Sequence, residues 1–500
     1  DGGGAAGGAG RSGPMRRPGA RRALLATTAA LALAGCAGLG LPELPGLGGA
    51  PPLWEQPPPA PRDHPVVPEG RLHRTRLANG LEVLVLEDHG LPWIEMGVTA
   101  RRGVGIERPE EAGLAALTAE VMQRGAGERG ALELARMVDD LGASFGVSAG
   151  WDATSVRLAG LSRDRDALFE VLADVTRRPR FESMEVERAR AEQQAALDKA
   201  REDASTLAAW WLDEVLYPGH RYRLPAGGTP ESVAALDADA LRAFHRRVFV
   251  PGNVVVHAVG DVDAEAFLAA VREAFGGWEE GPVPEPAAPP RAPAPPERRI
   301  VVVDRPDLGQ TQLRLGHDGI ARDDEARIPA QLVNTILGGG GFNSRLMQTV
   351  RADAGLTYGI GSGFDQRRRP GPFQVGTFTR NAEVGRVVRL VLDEIEALRT
   401  TPIPPDELDA ARSLRSGRFA LALETAAAVA ESLVDLDVYG MPAELLDTYR
   451  TRLRAVSTAE AEAVARALLH PDRMAIVAVG PAEELVPQLE PLGPVEVVQP

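Results

Sequence analysis

The chain has a single cysteine among 500 residues, which excludes an internal disulfide framework and any cysteine-rich zinc module, so packing must supply its stability. A basic surplus is also missing. With 55 Lys and Arg against 70 Asp and Glu the formal net charge is −15, so no positive field exists to concentrate a polyanion and nucleic acid is not an expected partner. Long hydrophobic runs are short in supply. The uncharged apolar stretch at residues 23–35 spans 13 positions, against the roughly 20 that a membrane-spanning helix needs. What remains is an ordinary folded composition, 44% hydrophobic and 25% charged, in a chain too long for one core and suited to two to four domains.

From Met15 the sequence runs through Arg16, Arg17, Arg21 and Arg22 into the apolar stretch and then Cys36. A charged start followed by a short apolar run reads as an export signal. Leu33-Ala34-Gly35-Cys36 resembles the lipobox of bacterial lipoproteins, which implies a diacylglycerol on Cys36. Residues 15–36 are therefore read as a lipoprotein signal and 37–69 as a Pro/Gly-rich tether. The expected location is the cell envelope, with the body facing the periplasm and lipid-anchored to a membrane.

The sequence repeats itself. Shifted by 220 positions, Leu236 to Gly260 falls without gaps on Val456 to Gly480, with Arg246 on Arg466, Pro251 on Pro471 and Ala258-Val259-Gly260 on Ala478-Val479-Gly480. Each copy has a capping residue (Asp237, Ser457), a helical stretch, a Pro turn, an apolar run and a terminal Gly. A Pro-rich linker at 281–297 separates the copies. The expected domains are thus 70–280 and 298–492. Within the first, residues 81–86, 93–100 and 154–158 read as strands, and 110–124 and 132–141 as helices that Gly125 and Gly142 stop. Strands and helices without regular alternation predict an α+β class, with two homologous α/β-sandwich-like domains.

Several segments in this order resemble the insulinase/pitrilysin family of metallopeptidases, over about residues 70–490. They are Leu77-Ala78-Asn79-Gly80-Leu81, Gly228-Thr229-Pro230-Glu231-Ser232, Ala243-Phe244-His245, Pro251-Gly252-Asn253, and the run from Gly338 to Arg345 followed by Arg351, Gly355, Leu356 and Tyr358. The resemblance implies zinc held by H-x-x-E-H on a helix, two histidines one turn apart with a glutamate as general base. No two of the eight histidines here stand three or four residues apart. At the corresponding positions are Ala116 and Glu120 for the histidines and Ala119 for the glutamate. The third ligand would fall near Ala195, Ala196 or Leu197, with Glu192 the nearest carboxylate. No metal is expected on this chain, and zinc is expected on a partner subunit.

The second half retains Gly338, Gly339, Gly340 and Gly341, then Phe342-Asn343-Ser344-Arg345. A Walker loop would end Gly-Lys-Ser/Thr, so nucleotide binding is not indicated. Asn343 or Ser344 is placed to cap a helix running to Ala354, with Arg351 in its last turn and Tyr358 beside the next strand. The family resemblance implies that such an Arg and Tyr bind substrate and steady the tetrahedral intermediate. It also implies heterodimers in which one subunit brings zinc and its sister brings the Arg and Tyr. The expectation is a non-catalytic subunit, substrate-binding through Arg351 and Tyr358, whose partners are a homologous H-x-x-E-H subunit and peptide substrates. The alternatives are a scaffold protein with no peptidase role, and a peptidase active alone by another chemistry, against which the expected absence of any G-x-S-x-G elbow and of a spare cysteine nucleophile stands. An Arg351–Asp353 ion pair is the plain structural reading of that arginine.

Overall fold

The computed structural model describes residues 52, 65–67, 69–286, 288 and 298–500. The signal with Cys36, nearly all of the tether and most of the Pro-rich linker lie outside the described residues.

Each half is built on a six-stranded sheet. The first comprises β1 (Leu72–Arg76), β2 (Glu82–Glu87), β3 (Trp93–Ala100), β4 (Ser144–Ala149), β5 (Thr154–Leu161) and β6 (Val254–Gly260), ordered β1-β2-β6-β3-β5-β4. Its helices of more than five residues are α1 (Leu114–Met122), α2 (Ala131–Asp140), α3 (Arg165–Arg177), α4 (Ser183–Glu202), α5 (Ala204–Leu216), α6 (Ala238–Val248) and α7 (Ala264–Phe275). The second sheet comprises β7 (Ile300–Asp304), β8 (Gln310–Asp318), β9 (Ile360–Gln366), β10 (Pro370–Arg380), β11 (Ala475–Gly480) and β12 (Val495–Val498), ordered β9-β10-β8-β11-β7-β12. The helices of the second half are α8 (Arg327–Asn334), α9 (Val384–Thr400), α10 (Pro405–Ala422), α11 (Ala426–Val438), α12 (Glu444–Ala455), α13 (Thr458–Leu468) and α14 (Ala482–Leu489). Five strands repeat one plan. β2 pairs in parallel with β6 as β7 does with β11, and β3 and β8 occupy the same antiparallel places. Helices α6 and α13 begin and end at the same offset of 220 positions, their first turns capped by the Asp237 and Ser457 side chains on the amides of Ala240 and Glu460. Only the sixth strand differs: β1 is antiparallel to β2, whereas β12 runs parallel to β7.

The alternation within a strand explains how the halves meet. Val83 and Val85 of β2 point to one face and pack with Leu117, Val121 and Leu172, while Leu84 and Leu86 point to the other and meet Val429, Leu433 and Val434 of α11. The reciprocal contact sets Leu207, Leu212 and Leu216 of α5 against Val301, Val303, Val477 and Val479 of the second sheet. Each sheet is thus covered by helices of its own half on one face and by a helix of the other half on the second. Burial on both faces is why β6 and β11 read as continuous apolar runs.

Two boundaries differ from the sequence reading. The second half extends past residue 492, because β12 adds to the sheet edge beside β7. The helix expected over 110–124 is a single 3₁₀ turn, Pro109–Glu111, and then α1. The break falls at Gly113, where φ is 93° and an added Cβ would sit 2.5 Å from the Gly227 carbonyl oxygen. Beyond it the buried Glu107 carboxylate accepts from the amides of Gly113 (3.2 Å) and Ala115 (2.6 Å), which fixes where α1 starts. Arg221, itself buried, holds that carboxylate at 2.7 Å.

Candidate functional site

Helix α1 carries the degenerate motif. Ala119 is buried, Ala116 half-buried and Glu120 exposed, and the two alanines offer only methyl groups. A cation does occupy the neighbourhood, but it is a side chain. Arg124, one turn beyond Glu120, donates to the Glu120 and Glu192 carboxylates at 2.6 Å each, with Glu185 3.8 Å away. It ties α1 to α4 where the resemblance puts the second and third metal ligands. Ala195 and Ala196 are exposed and Leu197 buried, so none of them supplies a donor. Among the described residues no three His, Cys, Asp or Glu side chains converge as a metal site requires. The donor set of this helix does not suit zinc.

Three of the described histidines are buried in the fold. His245 donates from Nε2 to the Thr176 carbonyl at 2.8 Å, and His317 donates from Nδ1 to the Asp318 carbonyl at 2.7 Å while accepting from the His470 amide. His257 is buried in β6. Burial pushes His245 and His317 down to about 4 and His257 down to about 3. The run Gly146-Val147-Ser148-Ala149-Gly150 has the G-x-S-x-G spacing. Ser148, however, stands in β4 opposite Ser155 rather than on a strand-to-helix elbow.

The second half assembles a more distinctive group. Helix α8 widens into a π-turn, Thr335–Gly339, which leads through a 3₁₀ turn, Gly341–Asn343, into a helical segment that is again π-wound over Met347–Asp353. Such widened turns concentrate at functional sites. Gly338 lets this loop seat on β9, since a Cβ there would lie 2.5 Å from the Ser362 hydroxyl and 2.7 Å from its amide nitrogen. Ser344 departs from the expected cap. Its hydroxyl turns back to the Gly341 carbonyl at 2.7 Å and fastens the loop, and its carbonyl accepts from the Gln348 amide. Arg345 makes a two-pronged pair with Glu407 at 2.8 and 2.6 Å, which anchors the segment to α10.

On this frame Arg351 and Tyr358 come together. The Arg351 guanidinium carbon lies 4.5 Å from the Tyr358 ring centre and 4.7 Å from that of Phe342, so the cation is held between two aromatic rings. Asp353 is not its partner, and among the described residues Arg351 forms no ion pair. Tyr358 is 75% and Phe342 67% exposed. Large aromatics left in water beside a cation point to a surface for recognition rather than to core packing. The stack fixes the guanidinium plane while its N–H edge and the Tyr358 hydroxyl remain open as donors. Phe342 was not singled out from the sequence. Its signal was an aromatic set directly after four glycines in a chain with only 5% aromatics.

The comparisons with known proteins agree with this architecture. Residues 83–221 match the family described as Insulinase (Peptidase family M16), and residues 235–414 match the Peptidase M16 inactive domain. The chain belongs to the insulinase family of peptidases and is one of its non-catalytic members, without the H-x-x-E-H motif. It is 27% identical to an uncharacterized zinc protease of Streptomyces coelicolor over 83% of this chain and 91% of that one. With the non-peptidase homolog YmxG of Helicobacter pylori it shares 25% identity over 76% and 87% of the two chains. Among solved structures, the peptidase M16 inactive domain from Pseudomonas fluorescens superposes with a TM-score of 0.76 at 28% identity, covering 82% of this chain and 98% of the other.

Proposed function

We propose that this protein is the substrate-binding, non-catalytic subunit of a zinc-dependent insulinase-family peptidase, working with a homologous partner that carries H-x-x-E-H and the metal. The observation that carries the reading is Arg351, clamped between Phe342 and Tyr358 with its donor edge free. In this role Arg351 and Tyr358 would donate to carbonyl oxygens of an extended peptide and to the oxyanion that develops during its hydrolysis, with the Gly-rich loop over 338–341 lying beside them; a zinc ion on the partner would supply the activation of water. The chain supplies position and charge, and the partner supplies metal and base. An acylated Cys36 would hold the pair at a membrane, facing the periplasm.

The test is reconstitution. The full chain, alone and co-expressed with an H-x-x-E-H homologue, is assayed for zinc content and for cleavage of an unstructured fluorogenic peptide. Zinc and cleavage that appear only in the co-purifying pair are expected. Stoichiometric zinc with chelator-sensitive cleavage by the lone chain would overturn the reading. The non-peptidase homolog among its relatives favours a second reading, a scaffold without peptidase role, which predicts silence in both preparations.

A further inference from the structure

Between the two halves lies a cavity of about 660 Å³, within the range of small-molecule binding sites. It is independent of the Arg351 stack and is lined by many charged groups, most of which have partners. Arg157 pairs with Glu431 at 2.8 Å, Arg367 with Asp365 at 2.6 Å, and Arg322 with Asp435. Asp152 accepts from the Arg368 amide and the Tyr439 hydroxyl. Among the described residues, two lining arginines have no carboxylate partner. Arg327, in the first turn of α8, is 9% exposed, and among the described residues its guanidinium makes no hydrogen bond and no ion pair. Asp435 acts on it only from a distance, against Arg322 and Arg452, and burial together with these cations pulls its pKa down. Arg415 reaches only the Tyr449 hydroxyl, at 3.3 Å, which in turn donates to the Gln331 side chain at 2.9 Å.

A buried guanidinium is ordinarily paired, because removing its charge from water without a counter-charge is costly. Here the missing counter-charge is matched by an empty volume beside it. One part of the wall is apolar, with Phe419, Val434, Leu436 and Leu446, while Ser155, Gln366 and Ser432 add polar groups elsewhere. We propose that the cavity binds a small organic acid with a compact apolar body, its carboxylate received by Arg327 with Arg415 as the second donor and its apolar part seated on the Phe419 side. The planar guanidinium fork suits a carboxylate, which would take up the two-pronged geometry that Arg327 makes with no protein group. The same chemistry has two sources: the free C-terminus of a short apolar peptide, or a free medium-chain acid.

Titration calorimetry on the full chain with trileucine, trileucine C-terminal amide and octanoate tests the site. At least one acid is expected to bind with a Kd below about 1 mM, and the amide about tenfold or more weaker than trileucine if the peptide is the ligand. Tighter binding of trileucine assigns a peptide terminus, and tighter binding of octanoate a free acid; both uphold the carboxylate site. Arg327→Met should abolish binding of the acid while the unfolding midpoint holds or rises, because an unpaired buried charge is removed. Arg415→Gln should weaken binding with the fold intact. Silence of both acids, equal affinity of trileucine and its amide with no octanoate binding, or a fall in the Arg327→Met midpoint would overturn the proposal, the last by showing that the guanidinium is structural.

Discussion

The Arg351 guanidinium stacks 4.5 Å from the ring centre of Tyr358, seven residues further on and across the turn at Gly355. The turn brings them together: the Gly355 amide bonds the Arg351 carbonyl at 3.2 Å, and the Leu356 amide reaches back to Val350 at 3.0 Å. The chain then heads into β9 with Tyr358 folded over the helix end. Phe342 closes the other side from the Gly-rich loop, so three short segments hold one cation in one plane. Preorganisation of this kind is what a donor aimed at developing negative charge requires.

In a reconstituted pair, Arg351→Ala is expected to lower kcat/KM by about 100-fold and Tyr358→Phe by about tenfold, with co-purification unchanged. Phe342→Ala removes only a cation–π contact at an exposed site and should cost about threefold. Steady-state kinetics with one fluorogenic peptide checks all three, and unchanged turnover in the first two sinks the role.

Arg124 predicts how the metal site responds to repair. Ala116→His, Ala119→Glu and Glu120→His together restore the motif, yet Glu192 stays engaged by the guanidinium. Zinc affinity measured by equilibrium dialysis should rise about tenfold or more when Arg124→Leu is added, since Glu192 is then free to ligate. Equal affinity with and without Arg124 would refute this.

The loop glycine is a packing requirement. Gly338→Ala, with its methyl driven against Ser362, should cost about 2 kcal/mol in denaturant unfolding. Gly363→Ala, where nothing lies within 4 Å of the added carbon, should change stability by less than about 0.5 kcal/mol.

His257 gives a pH dependence of defined sign. In the fold it stays neutral down to about 3, whereas the unfolded chain takes up its proton near 6.5. Its contribution is therefore complete above about pH 6.5 and is lost as pH falls toward 3, by about 1.4 kcal/mol per pH unit. Glu107 and Asp213, whose carboxyls burial pushes up to about 7, affect wild type and variant alike. Between pH 6 and 4.5 the stability of His257→Leu should therefore fall less steeply than wild type by about that slope.

The sequence alone determined whatever depends on neighbouring residues. Helix α6, its cap at Asp237 and the strand after Pro251 were legible, together with their copies 220 positions on, because caps, periodicity and turn residues act within a few positions. The loss of the metal motif was legible for the same reason, since two ligands one helical turn apart are a local pattern. Arg351 and Tyr358 were singled out only through the resemblance to the insulinase family. Tertiary structure decided the rest. Glu192 stands 68 residues from Arg124, so no spacing rule announces that a guanidinium sits among those carboxylates. Gly113 breaks the expected helix because of Gly227, and β12 joins the sheet because of the open edge beside β7. The exchange of α5 and α11 across the halves, and with it the cavity around Arg327, follows from how two apolar sheet faces find cover. Burial of that kind is settled by the whole chain at once, because it depends on which surfaces meet rather than on which residues adjoin.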